Sequence, residues 1–183
     1  MTTPRIKRRL LSSLAVTAAA VLTFGLAAPT ASADTSTDND VEVHVSNAEM
    51  ADPLCDIPPE HDPAVHQEVY DIAVERGVND KVMLSMFMAG WVESHMHNLD
   101  CGDRDSLGVF QQRPSQGWCD PASLCMDVNH ATNAYLDQAI PNEQSNPGFT
   151  AGELAQSVQR SAYPDRYDEA HDKAQELWDE AAG

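Results

Sequence analysis

The sequence predicts a mostly helical α+β domain, and three observations carry that prediction. Apolar residues recur at steps of three and four through most of residues 63–178, the period of helices with one buried face. One stretch, Leu107 to Gln111, instead alternates with a period of two, as a half-buried strand does. The segment 61–183 contains 123 residues without internal repeat, a usual size for a domain built on one core.

Each element has its own signal. Pro63 opens the first helix, where its missing N–H costs nothing; Val65, Val69, Ile72 and Ala73 share a face, and Gly77 lies just past the end. Asn79 or Asp80 caps the second helix, expected over 79–94, with Val82, Met86 and Ala89/Gly90 as its apolar stripe. Leu107, Val109 and Gln111 then alternate with Ser106, Gly108 and Phe110, predicting a short strand or hairpin arm that Pro114 and Gly117 close. Asp120-Pro121 starts a short helix with Pro at its first position, and Asp127 caps the next, which carries Val128, Ala131, Tyr135 and Leu136. Residues 141–149, PNEQSNPGF, read as a loop. Thr150 with Glu153 forms a capping box ahead of Leu154, Ala155 and Val158. The last helix runs from Asp165 and buries Tyr167, Ala170, Ala174, Leu177 and Trp178. Residues 34–60 are rich in Asp, Thr, Ser and Pro, which predicts a largely disordered acidic tail. Within it Val41, Val43 and Val45 alternate as a short strand would.

One residue breaks the helical pattern. Continuing the Val82–Met86–Ala89/Gly90 stripe by three or four residues lands on Glu93. A carboxyl on that face is desolvated, which raises its pKa and favours the neutral acid. A proton held near neutral pH is what a general acid for glycosidic cleavage requires. If the helix frays before its end, Glu93 simply points to water.

Glu93-Ser94, Asn98 and Gly108-Val109-Phe110-Gln111 resemble the Glu-Ser…Gly-Leu-Met-Gln signature of soluble lytic transglycosylases and goose-type lysozymes. The longer run GDRDSLGVFQQRPSQGW is similar to secreted transglycosylase-like proteins of actinobacteria. The resemblance covers His61 to the C-terminus and implies a lysozyme-like fold whose short β element lies beside the active-site cleft. It implies that Glu93 is the single catalytic acid/base and that Ser94, Gly108, Val109, Phe110 and Gln111 belong to the sugar site. Two departures stand out. Asp105 replaces a Ser common in the superfamily, and VQRSAYP (158–164) replaces a Tyr-Asn-Ala-Gly motif whose Tyr orients the Glu. Tyr163 or Gln159 is then expected to take the orienting role.

The N-terminus carries Arg5, Lys7, Arg8 and Arg9, an apolar run from Leu10 to Leu26, and Ala31-Ser32-Ala33. That is the pattern of a secretory signal peptide over 1–33, cleaved near Ala33, with no further membrane-crossing segment. Arg8-Arg9 lacks the flanks of a twin-arginine signal, which favours the general secretory route. All 29 acidic residues follow Ala33, whereas four of the 11 basic residues precede it, so cleavage takes the net charge from −18 to −22. Such a field excludes nucleic acid and anionic membrane surfaces as partners. It also repels anionic wall polymers unless salt or divalent ions screen it.

Cys55, Cys101, Cys119 and Cys125 make an even count in an exported chain, hence two disulfides with three possible pairings. Cys119–Cys125, closing a short loop, with Cys55–Cys101, tying the tail to the turn after Glu93, is favoured. Zinc is the alternative, but no Cys pair has C-x-x-C spacing. Asp100, Asp103 and Asp105 crowd that turn. Asp103 or Asp105 could serve as a second carboxylate, although Asp is common in turns for its own backbone bonding, and the spacing fails the EF-hand pattern. His95 and His97, two apart, cannot chelate together from one helix face. Trp118 and Tyr163 are either sugar-stacking or core aromatics, and only one of Gln111 and Gln112 can face a cleft from a strand.

The reading is a secreted, monomeric, cofactor- and metal-free enzyme that cleaves the β-1,4 bond between N-acetylmuramic acid and N-acetylglucosamine in peptidoglycan strands. The single carboxylate favours the lytic transglycosylase route. The alternatives are a hydrolytic muramidase and a non-catalytic wall- or protein-binding module on the same fold.

Overall fold

The helix that carries Glu93 is the one around which most of the others pack. The computed structural model describes residues 46–183. The expected signal sequence, its cleavage site, the stretch 34–45 and the Val41/Val43/Val45 alternation lie outside the described residues. Seven α-helices are found among the described residues: α1 (Asn47–Ala51), α2 (Pro63–Glu75), α3 (Asp80–Ser94), α4 (Val128–Ser145), α5 (Ala151–Gln159), α6 (Arg166–Glu169) and α7 (His171–Ala182). Two short 3₁₀ turns, Pro114–Gln116 and Ala122–Met126, lie between α3 and α4.

The fold is all-α, not α+β. The only pairing of β type among the described residues is an isolated antiparallel bridge between Leu107 and Gln112, whose amides and carbonyls exchange bonds of 3.0 and 2.9 Å. The four residues between them form a tight loop. Gly108 and Gln111 have φ of 77° and 47°, and the Gln111 amide donates to the Gly108 carbonyl at 3.2 Å. Val109 and Phe110, neighbours that a strand would send to opposite faces, are both buried. Alternation of polarity over five residues is thus produced by a loop folded onto a core, with no second strand to extend the ladder. Gly108 is required here: besides its positive φ, a Cβ would fall on the Cys125 carbonyl oxygen. Gly108→Ala should therefore lower stability by about 2–4 kcal/mol, read as a drop in thermal midpoint.

Local signals place the helix ends. Asn79 accepts from the Val82 amide at 3.0 Å, Asp127 from His130 at 2.9 Å, and Asp62 from Ala64 at 2.9 Å just ahead of Pro63. Thr150 and Glu153 form the reciprocal capping box that starts α5. The expected helix at Asp120-Pro121 is the second 3₁₀ turn, with Pro121 outside it as the cap. The expected 141–149 loop begins five residues late, since α4 runs through Pro141 to Ser145. A proline inside a helix removes one backbone bond. Contacts beyond it hold the extra turn: Asn142 donates to Ser157 Oγ at 2.9 Å, and Glu143 pairs with Lys81 at 3.3 Å. The last helix breaks at Ala170 into α6 and α7.

α3 is buried nearly all round, not along one stripe. From Ser85 to Ser94 every residue is buried, because α1, α4, α5, α6 and α7 all pack against it. Its buried Ser85 is satisfied: Ser85 Oγ donates to the Val82 carbonyl at 2.8 Å and accepts from Tyr135 at 3.1 Å.

Residues 46–57, expected as loosely attached tail, are instead a docked strap. Ser46 caps α1 through a capping box with Glu49, and Ala48, Cys55 and Ile57 make a small satellite core with Leu99 and Cys101. The disulfides are Cys55–Cys101 and Cys119–Cys125. They are compatible with an exported chain. No helix among the described residues is long and apolar enough to cross a membrane.

Candidate active site

α3 ends abruptly at the residue of interest. His95 and Met96 adopt left-handed conformations (φ 50° and 61°), and the Met96 amide reaches back to the Gly90 carbonyl at 3.0 Å. This stop leaves Glu93 in the final helical turn, 7% exposed, on the wall of a cleft of about 540 Å³.

Two donors converge on one oxygen of Glu93. The Tyr167 hydroxyl from α6 donates to Oε1 at 2.5 Å, and the Asn47 side-chain amide from α1 donates to the same atom at 3.1 Å. Arg166 fixes the direction of the second bond. A guanidinium can only donate, so its bond to Asn47 Oδ1 turns the Asn47 NH₂ toward Glu93. Oε2 accepts no hydrogen bond among the described residues, and it is the oxygen left to carry a proton toward the cleft.

Burial pushes the Glu93 carboxyl up to about 7, against the opposing pull of the Tyr167 and Asn47 hydrogen bonds and the Arg166 charge. Burial, followed by the charge of Glu93, drives the Tyr167 hydroxyl well above its usual range, so it remains a donor at neutral pH. Tyr167→Phe should remove one of the bonds that favour the carboxylate and raise the Glu93 pKa further. The expected readout is a pH–rate profile whose alkaline limb moves upward while the maximal rate falls about tenfold. An unmoved limb would show that the hydroxyl does not act on Glu93.

The other expected site residues divide. Phe110, Gln111, Gln159, Tyr163 and Asp103 line the cleft with Glu93. Phe110 stacks on Tyr135 at 5.0 Å, and Gln159 Nε2 donates to the Phe110 carbonyl at 3.0 Å. Tyr163 is half exposed on the rim. Neither Gln159 nor Tyr163 orients Glu93; Tyr167, expected only as a core residue of the last helix, does. Ser94, Gly108 and Val109 do not reach the cleft. Ser94 is buried and its Oγ donates to the Val109 carbonyl at 2.7 Å, tying the end of α3 to the Gly108 loop. Gln112 faces inward, donating to the Ala131 carbonyl at 2.9 Å.

Asp105 is committed elsewhere. Hydrogen bonds from Ser115 and Arg113 hold its carboxyl well below the usual carboxylate range, with 2.8 Å to the Ser115 amide and 2.8 Å to Arg113 Nε. That leaves Asp103 as the second carboxylate on the cleft. His95 and His97 contact the carbonyls of Pro58 and Glu60, so they help hold the segment that joins the strap to α2. No group of three or more His, Cys, Asp or Glu side chains among the described residues is placed to hold a metal ion.

Asn47, Arg166 and Tyr167 were not singled out in the sequence. Asn47 sits in a segment with the composition of a tail. The one available signal for Tyr167 was a phenol on an apolar helix face, which needs a hydrogen-bond partner once buried. No protein-family model matches the chain, and no curated protein matches its sequence.

Proposed function

We propose that the chain is an exported peptidoglycan-cleaving enzyme that cuts the β-1,4 bond between N-acetylmuramic acid and N-acetylglucosamine by a single-carboxylate, lytic transglycosylase route. The observation that carries this reading is Glu93: a carboxyl on a cleft wall, raised to about 7, with Oε1 occupied by two donors and Oε2 without a donor among the described residues. The motif likeness of Glu93-Ser94 and Gly108 to Gln111 to wall-lytic enzymes supports the choice of substrate.

In the first step, the proton on Glu93 Oε2 moves to the glycosidic oxygen as the C1–O bond breaks and its electron pair goes to that oxygen. The Glu93 carboxylate then takes the proton of the muramyl C6 hydroxyl, whose oxygen bonds to C1 and closes a 1,6-anhydro ring. Glu93 ends protonated and no water is consumed. Tyr167 and Asn47 hold the carboxylate formed between the two transfers, where their hydrogen bonds are strongest. Because the acid form starts the reaction, the rate should fall as pH rises through about 7.

Mass spectrometry of muropeptides released from purified peptidoglycan by the oxidised protein, beside Glu93→Gln, tests this. Anhydro-muropeptides from the parent protein alone are expected. Reducing-end products would replace the route with hydrolysis and direct attention to Asp103. A folded protein that releases nothing from several wall types would leave a binding module.

A further inference from the structure

The charge of this chain is unevenly distributed. After Ala33 there are 29 acidic and seven basic residues. Among the acids of the described residues only Glu93 and Asp103 line the cleft, and Glu93 is partly neutral near pH 7. Three of the seven bases line it: Arg104, Arg113 and Arg160.

These three arginines are not equivalent. Arg113 is neutralised by Asp105 at 2.8 Å. Arg104 is 71% exposed, and its pairing with Asp103 is long, 3.9 Å. Arg160 makes no ion pair among the described residues. Its guanidinium is held by neutral acceptors, the Gln138 side chain at 2.7 Å and the Val158 carbonyl at 3.0 Å. It is therefore both oriented and uncompensated. Arg160 and Gln116 also line the adjoining groove that contains Trp118, so a ligand extending from the Glu93 cleft into that groove passes Arg160.

A fixed guanidinium in a partly enclosed cleft attracts carboxylates, and its fork geometry matches them. The net charge of −22 after Ala33 repels anions from the chain as a whole, which sharpens the contrast. We propose that the cleft selects a glycan bearing carboxylates, and that Arg160, supported by Arg104, is the specificity-determining contact. This rests on the glycan-cleaving reading of the cleft and narrows it. Muramyl-containing strands carry carboxylates on the lactyl group or on its peptide, whereas a polymer of N-acetylglucosamine alone carries none.

The test is isothermal titration of the full, oxidised Glu93→Gln protein with two tetrasaccharides. One alternates N-acetylglucosamine and N-acetylmuramic acid with free lactyl carboxylates, and the other is the neutral N-acetylglucosamine tetramer. The anionic probe should bind about tenfold tighter at low salt. That advantage should shrink as ionic strength rises from about 20 to about 300 mM. Adding Arg160→Gln should remove most of the difference without weakening the neutral probe, and Arg160→Lys should retain part of it. Arg104→Gln, at an exposed side chain, should reduce it independently, even if the Arg160 variant loses its fold. Equal, salt-insensitive affinities for the two probes would overturn the selectivity alone. Binding of neither would overturn the glycan reading, and the selectivity with it.

Discussion

Glu93→Gln should abolish glycan cleavage and, above neutral pH, make the protein more stable. Loss of a general acid costs roughly 10²–10⁴-fold in rate. The stability gain follows from proton linkage. The Glu93 carboxyl is raised from 4.5 to about 7 in the folded protein, so between those values the folded state keeps a proton that the unfolded chain has released. Stability supplied by the neutral carboxyl is fully present below pH 4.5 and is lost as pH rises through about 7. The cumulative loss is about 3 kcal/mol. Glutamine has the same shape, cannot ionise, and can offer its carbonyl to Tyr167 and Asn47 where Oε1 stood. The variant should therefore melt several degrees higher at pH 8 and match the parent protein below pH 4.5. An inactive variant with no pH-dependent gain would mean that Glu93 ionises freely in the folded protein.

The second large effect is expected at the Cys55–Cys101 disulfide, which closes a loop with a sequence separation of 46. By chain entropy such a crosslink disfavours the fully unfolded chain by about 4 kcal/mol, and in the folded protein it tethers the strap. Without it, docking rests on a satellite core with Ala48 and Ile57 at its centre. The Cys55→Ser/Cys101→Ser variant should release α1 locally while the main core around α3 melts as one unit. Asn47 then leaves Glu93. The carboxylate formed between the two proton transfers then loses one of its two hydrogen bonds, so the maximal rate should fall by about tenfold. Hydrogen exchange at the Met50 and Asp52 amides, which bond to the Ser46 and Ala48 carbonyls at 3.1 and 2.9 Å, reads the undocking directly. A ¹³C titration of the Glu93 carboxyl reads its consequence. Retained protection with an unmoved titration would show that the strap needs no tether and that its hold on Glu93 is independent of the disulfide.

Local chemistry in the sequence determined where most helices begin. Pro63, Asn79, Asp127 and the Thr150/Glu153 box act within one turn of their own positions, so a one-dimensional reading finds them. The even cysteine count and the position of Glu93 on an apolar helix were legible for the same reason. The Leu107–Gln111 segment was misread because alternation describes polarity, whereas strand formation needs a partner. With Gly108 and Gln111 in left-handed conformations the chain closes on itself, and no partner strand exists among the described residues. The composition of residues 141–149 predicts a loop, and the local cost of Pro141 in a helix is real. Only the contacts of Asn142 and Glu143 with α5 and α3 outweigh it.

What the tertiary structure alone decided is the environment of the carboxylate. Tyr167 is 74 residues from Glu93 and Asn47 is 46 residues before it, and neither carries a local mark of the other. Packing five helices around α3 buries the carboxyl and raises its pKa, while the disulfide-tethered strap and α6 deliver two donors to one oxygen. Capping and turn preferences are short-range energies written along the chain. Desolvation and directed hydrogen bonding are long-range outcomes that exist only once distant segments share a core.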